Sequence, residues 1–238
     1  MENGSGLPRG FDFIVALGGL ILCLPLLAVS ALAVALTSPG GVLFRQKRVG
    51  LDGEIFVIYK LRTMRATGAG PQVSRAGAGP QVTRTGAGPQ VTRASNGPQI
   101  TTGNDERITR VGKFLRQTKL DELPTLWNVL RGDMALVGPR PEVPRYVKLE
   151  DPMWRAVLAA KPGITDPVTL RLRNEEKVLA QVEGDMERYY VDQLQPLKLK
   201  GYVSYLEQRS WRSDLAVLWK TVAAVVFRRE RVHFPYVI

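Results

Sequence analysis

Asp121 and Glu122 are adjacent carboxylates in a stretch crowded with cations. Residues 107–142 also carry Arg107, Arg110, Lys113, Arg116, Lys119, Arg131 and Arg140. A carboxylate pair among cations suits transfer chemistry on a pyrophosphate. One carboxylate can attack phosphorus, and the other can hold Mg²⁺, which prefers oxygen ligands and phosphate oxygens. Taken alone, such a pair reads as an ordinary helix cap; the surrounding cations are what favour chemistry. Pro139-Arg140-Pro141 sets a guanidinium between two residues of fixed φ, a stiff mount for a planar phosphate-binding fork. Lys60 and Arg62 lie two apart at the end of a strand-like run. They share one face if the strand continues, and read equally as a phosphate-binding pair or as a solvated edge. One histidine, His233, and one cysteine, Cys23, argue against a His-rich metal centre, a Ser-His-Asp triad, a Cys-based zinc site and a disulfide framework.

The elements that must position these groups are partly legible. Ile108, Val111 and Leu115 recur at helical spacing. Thr118 to Asp121 has the form of a capping box opening a second helix; alternatively Asp121 is itself the cap, with Pro124 in the first turn. Either way both carboxylates sit at a helix N-terminus, where the macrodipole favours their ionised forms. Leu123, Leu126, Trp127 and Leu130 then line one apolar face, and Gly132 is the stop. Asp52-Gly53 signals a turn ahead of a strand over 54–59. Residues 210–227 read as an amphipathic helix, either surface-attached through Trp211 and Trp219 or packed on the core; Arg228, Arg229 and Arg231 favour the surface.

Residues 11–36 are almost wholly apolar, with Asp12 the one charge. A straight helix of that length is about 39 Å long, enough for a hydrocarbon core of about 30 Å. The run is too long for a signal-peptide core. A plain span and a re-entrant dip remain: Pro25 favours a kink, and Arg9 before the run with Arg45, Lys47 and Arg48 after it puts positive charge on both flanks.

Residues 68–102 carry a nine-residue repeat, GAGPQVSRA, GAGPQVTRT, GAGPQVTRA and a degenerate SNGPQITTG. Its composition cannot bury a core, so it reads as a loop grown by duplication, with Arg75, Arg84 and Arg93 solvated or near anionic headgroups. The chain totals 33 Lys plus Arg against 22 Asp plus Glu, a net charge of +11. That balance asks for an anionic partner without naming it.

Four segments together resemble the bacterial sugar transferase family, the monotopic phosphoglycosyl transferases. They are SPGGVLFRQKRVG (38–50), FVIYKLRTM (56–64), RITRVGKFLRQTKLDELPTLWNVLRGDMALVGPRP (107–141) and KPGIT (161–165). The resemblance implies an α+β, mainly helical fold: a re-entrant membrane helix broken near Pro25 (1–37), a first catalytic segment (38–67), the repeat loop (68–102), and a catalytic core with C-terminal amphipathic helices (103–238). The small catalytic domain would sit at the cytoplasmic face of the bacterial inner membrane. It implies Asp121 as nucleophile and Glu122 as Mg²⁺ ligand. Arg140, Lys60, Arg62 and Arg116 would bind phosphate or substrate, and Asp214 is the match to a further acidic residue. The expected substrates are a UDP-sugar and undecaprenyl phosphate in a lipid bilayer, with no nucleic acid. The chain resembles the small form of the family. It departs from the pattern at Asp166-Pro167, where Gly is commoner, and in its repeats, although GPQIT (97–101) fits. Two other readings are a basic membrane-tethered polyanion-binding module and a member that has lost activity and acts as a scaffold. Neither accounts for an acidic pair inside a cationic segment.

Overall fold

In the computed structural model, which describes residues 6–38, 40–65, 105, 107–173 and 175–227, Arg9–Thr37 forms one 29-residue helix, α1, with Pro25 inside it. The repeats at 68–102 and the arginines after Phe227 lie outside the described residues. Only 11% of the most apolar eighteen-residue window of α1 is buried, whereas a core helix hides most of its surface. Ile14, Ile21, Leu22, Val29 and Leu36 all point outward. The small buried stripe is specific. Near the N-terminus Asp12 and Ala16 are covered, and near the C-terminus Ser30 and Val34. Asp12 Oδ1 accepts a hydrogen bond from the Leu136 amide at 3.3 Å, and the Arg9 guanidinium donates to the Leu130 carbonyl at 3.0 Å. Val34 packs with Leu61 and Leu115. Both ends of α1 therefore rest on the same body.

Strands β1 (Leu43–Val49) and β2 (Ile55–Leu61) form an antiparallel hairpin in which Leu43 faces Leu61 and Val49 faces Ile55. The expected turn is present: Asp52 and Gly53 take φ of 52° and 82°, the left-handed region that Asp tolerates and Gly favours. Helix α2 (Arg110–Thr118) is capped by Thr109, whose hydroxyl accepts from the Gly112 amide at 2.9 Å. Gly112 lies on the end of the hairpin so closely that a Cβ there would meet the Thr63 carbonyl oxygen at 2.0 Å.

The expected capping arrangement at Thr118–Asp121 is not what forms. Lys119 takes φ 60° and ends α2; Leu120–Glu122 is a single 3₁₀ turn; α3 spans Thr125–Arg131, with Pro124 at its cap position and Gly132 (φ 93°) as the predicted stop. Asp121 and Glu122 cap nothing. They sit in the corner between two helices. The inward face of α3 is Thr125, Asn128 and Val129, with Leu126 and Leu130 at its edge, while Trp127 is exposed.

Strands β3 (Ala135–Val137) and β4 (Gly163–Thr165) pair in parallel, linked through α4 (Pro152–Leu158). Asp166 is fully buried and caps α5 (Pro167–Arg171), accepting from the Val168 and Thr169 amides, so the unusual Asp-Pro is a helix start. Helices α6 (Glu175–Leu179), α7 (Met186–Tyr189), α8 (Gln195–Glu207) and α9 (Trp211–Val226) complete the described chain, with a π-helical turn over Tyr190–Leu194 between α7 and α8. The described residues are mostly helical with two small sheets, in agreement with the expected class. One core gathers Trp154, Val157, Leu172, Leu199 and Tyr202. A second gathers Ala16, Ile58, Val129, Met134 and Val137 beneath α1. α9 buries Asp214 and Val217 and leaves Trp211, Trp219, Val222 and Phe227 outside, so one stripe packs and the other faces out.

Candidate active site

Strand β2 delivers Lys60, the 3₁₀ turn delivers Asp121 and Glu122, and the loop leaving β3 delivers Arg140. Lys60 Nζ and Arg140 Nη2 each lie 2.6 Å from the same oxygen, Oε1 of Glu122. They face a small cavity lined also by Arg48, Thr125 and Pro141.

Each support is traceable to a particular contact. Asn128, wholly buried on α3, acts as a substitute strand along β2: its Oδ1 accepts from the Tyr59 amide and its Nδ2 donates to the Val57 carbonyl at 2.7 Å. That fixes the strand one residue before Lys60. The 139–142 loop is stapled on both sides. Pro139 O accepts from the Gly163 amide, Glu142 O from the Val49 amide, and Pro141 O from Arg48 Nη1 at 3.0 Å. Arg48 also donates to Gln46 and Glu142, and Glu142 accepts from the Tyr190 hydroxyl. Arg48, Asn128 and Glu142 were not singled out by sequence reasoning. The available signals were an amide side chain within a largely apolar helix and a charge directly after the Pro-Arg-Pro segment.

The two carboxylates are shifted in opposite directions. Burial, and next the charge of Glu122, push Asp121 from its ordinary 3.8 up to about 6, against Lys60, Lys119 and Arg116. The macrodipole expectation fails here, because no α-helix begins at Asp121 and desolvation dominates. Burial pushes Glu122 up as well, but the charges of Arg140 and Lys60 and the hydrogen bond from Arg140 outweigh it and hold Glu122 well below the usual carboxylate range. Lys60 is lowered by burial, against the charge of Glu122. Asp121 is 8% exposed, and its Oδ1 is buried without a hydrogen-bond partner. It is not one of the residues lining the cavity.

The remaining predicted residues lie elsewhere. Arg62 is one residue beyond β2, its guanidinium beside Gly41. Arg116 donates to the Thr63 hydroxyl, Glu176 and the Met64 sulfur. Neither lines the cavity. Asp214 is fully buried on α9, where it accepts from Tyr205, Arg209 and the Leu7 amide. It clamps the start of α1 rather than facing the dyad.

Two neighbouring carboxylates with an unpartnered oxygen suit a hard divalent cation. Among the described residues no three acidic, His or Cys side chains converge on one point, so substrate oxygens or water would have to complete the coordination.

Comparison with known proteins gives a consistent set. A model of bacterial sugar transferases matches residues 4–228. A UDP-glucose:undecaprenyl-phosphate glucose-1-phosphate transferase of Caulobacter vibrioides is 36% identical over 221 residues, covering 92% of this chain and 69% of that protein. The Escherichia coli protein of the same description is 37% identical over 191 residues, 76% of this chain and 35% of its own length. The exopolysaccharide production protein ExoY of Rhizobium meliloti is 30% identical over 226 residues, covering 95% of this chain and 88% of its own.

Proposed function

This chain belongs to the bacterial sugar transferase family and is a transferase, and we propose that it moves a sugar 1-phosphate from a UDP-sugar to undecaprenyl phosphate, releasing UMP, as an early step of exopolysaccharide or glycan assembly. The observation that carries the reading is the cavity itself. A carboxylate is held ionised by Lys60 and Arg140, 2.6 Å away on each side, next to a buried carboxylate with an unpartnered oxygen.

In the first step an Asp121 oxygen forms a bond to the β-phosphorus, the bond from that phosphorus to the bridging oxygen breaks, and UMP leaves. The sugar phosphate is then held as an aspartyl ester. In the second step an oxygen of undecaprenyl phosphate attacks the same phosphorus and Asp121 is released. Burial holds Asp121 back in the free protein. Presenting the oxygen to substrate requires the Leu120–Glu122 turn that carries it to shift toward the cavity. Arg140, stapled through its neighbours, orients the diphosphate; Lys60 and Arg48 add positive charge where negative charge concentrates. Glu122, with Asp121 beside it, is the residue to hold Mg²⁺. A bound Mg²⁺ would screen the pyrophosphate charge.

The lipid acceptor requires membrane attachment. Rest points on one body at both ends of α1 support a re-entrant helix, with the catalytic unit on the cytoplasmic face of the inner membrane.

The test is UMP release from a panel of UDP-sugars with undecaprenyl phosphate and Mg²⁺ in nanodiscs, comparing wild type with Asp121→Asn. Metal-dependent release in wild type and at least a thousandfold loss in the variant are expected. Persistence of release in Asp121→Asn would remove Asp121 as nucleophile. Absence of release with every UDP-sugar would favour a scaffold.

A further inference from the structure

The free protein has already placed a cation pair where a metal-bound substrate is expected. Oε1 of Glu122 takes both Lys60 and Arg140, while its other oxygen accepts from none of the described residues. A divalent cation arriving alone would meet two positive groups within one ion-pair distance of its ligand. Other cations nearby are committed: Arg48 to Gln46, Pro141 and Glu142, and Arg116 to Thr63, Met64 and Glu176. Among the described residues Lys60 and Arg140 have Glu122 alone as side-chain partner. Their backbones are fixed, by the strand and by two prolines, but their side chains are tied at one point each.

We propose that Lys60 and Arg140 are placeholder counter-ions, which neutralise Glu122 in the free protein and transfer to the diphosphate when substrate arrives, so that Glu122 becomes available to a divalent cation only together with that diphosphate. This rests on the reading of the Asp121–Glu122 cavity as a metal-assisted phosphotransfer site. The exchange conserves charge: the diphosphate brings the negative charge that Glu122 ceases to supply, and the divalent cation takes the place of the two departing monovalent ones. It also follows that the free protein binds the cation poorly, and that deleting a placeholder improves cation binding while weakening diphosphate binding. Any positive side chain beside the site repels a metal ion and attracts a diphosphate, so the placeholder role is marked by a further property: the gain in cation binding on deleting Lys60 must run through Glu122.

The experiment uses the full chain in phosphatidylcholine nanodiscs, with Mn²⁺ as a paramagnetic probe and UDP as a diphosphate that has no sugar to transfer. Free and bound Mn²⁺ are read by electron paramagnetic resonance, with a protein-free UDP titration subtracted. Wild type should bind Mn²⁺ at least tenfold more tightly with UDP than without. Lys60→Met should raise the affinity for Mn²⁺ alone by fivefold or more and lower the affinity for UDP by tenfold or more; adding Glu122→Gln should abolish the gain. Equal Mn²⁺ affinity with and without UDP in wild type, a comparison needing no variant, would overturn the proposal, as would an unchanged or weaker Mn²⁺ affinity in Lys60→Met. Either result leaves the transferase reading standing, because turnover is not measured. Failure of wild type to bind UDP at all would overturn both.

Discussion

Asp121 is buried beside Glu122, and its carboxyl is pushed up to about 6 while Glu122 is held well below the usual range. For Asp121, the folded state keeps its proton between about 3.8 and 6 while the unfolded chain has lost it. Stability therefore falls as pH rises through that window and stays low above it, by roughly 3 kcal/mol at most. Asp121→Asn removes the charge at every pH. It should raise stability by about 1–3 kcal/mol at pH 7.5, with the gain fading below about pH 4. Glu122 has the opposite sign: its contribution is present above its ordinary 4.5 and is lost as pH falls through its lowered folded value. Glu122→Gln leaves Lys60 and Arg140 unpaired and should cost on the order of 3 kcal/mol at pH 7.5. Thermal midpoints of the three proteins in one detergent at pH 7.5 and 4 check both signs; a lower midpoint for Asp121→Asn at pH 7.5 would contradict the burial argument. Asp121, Glu122 and Arg140 could be picked out from residue types and local spacing. Their charge states could not, because they depend on Lys60, which reaches Glu122 across 62 positions of sequence. Arg48 and Glu142 were obscure for a related reason: they satisfy a loop whose partners come from β1 and the π-helical turn, which no local pattern connects.

Among the elements, the parallel pair β3–β4 explains why two separated motifs belong together. Gly138, ahead of Pro139-Arg140-Pro141, and Gly163, in the 161–165 motif, approach backbone to backbone. A Cβ on Gly163 would stand 2.1 Å from the Gly138 nitrogen, and one on Gly138 would stand 2.4 Å from the Lys161 oxygen. Neither glycine has a positive φ, so space, and not conformation, is what each provides. Gly163→Ala must push the strands apart and displace the loop that carries Arg140. It should cost about 2–4 kcal/mol and most of the UMP release. Gly10→Ala, where nothing lies within 4 Å, should be neutral or slightly stabilising in both measurements. Equal behaviour of the two variants would mean that the close approach does not hold the loop. The motif was visible in sequence, but the pairing behind it was not, since strands of three residues give no period to read. The corner at Lys119 was missed because a left-handed lysine has no sequence signal, whereas Gly132 was read correctly because glycine does.

For the whole molecule, the question is how a 29-residue apolar helix meets the bilayer. Straight, it would measure about 44 Å, long enough to cross. Its start is held by Asp214, which accepts from the Leu7 amide, and by Asp12, which accepts from β3; its far end packs through Val34 on α2 and β2. A crossing helix would leave one of these ends on the opposite face, with either Asp12 or Val34 stripped of its partners. A dip keeps both. The exposed side chains of Phe114, Trp127, Trp211 and Trp219 add apolar groups of the catalytic unit suited to a headgroup layer. In a Cys23→Ser background, Gly10→Cys and Lys47→Cys place single thiols on either side of α1, at a position open to solvent and on an exposed strand residue. A membrane-impermeant maleimide should label both in inverted inner-membrane vesicles and neither in intact spheroplasts. Labelling of Gly10→Cys in spheroplasts alongside Lys47→Cys in inverted vesicles would mean that α1 crosses. The contacts of Asp12 and Asp214 would then have to break on insertion, and the catalytic unit would be tethered by one end of the helix instead of resting on both.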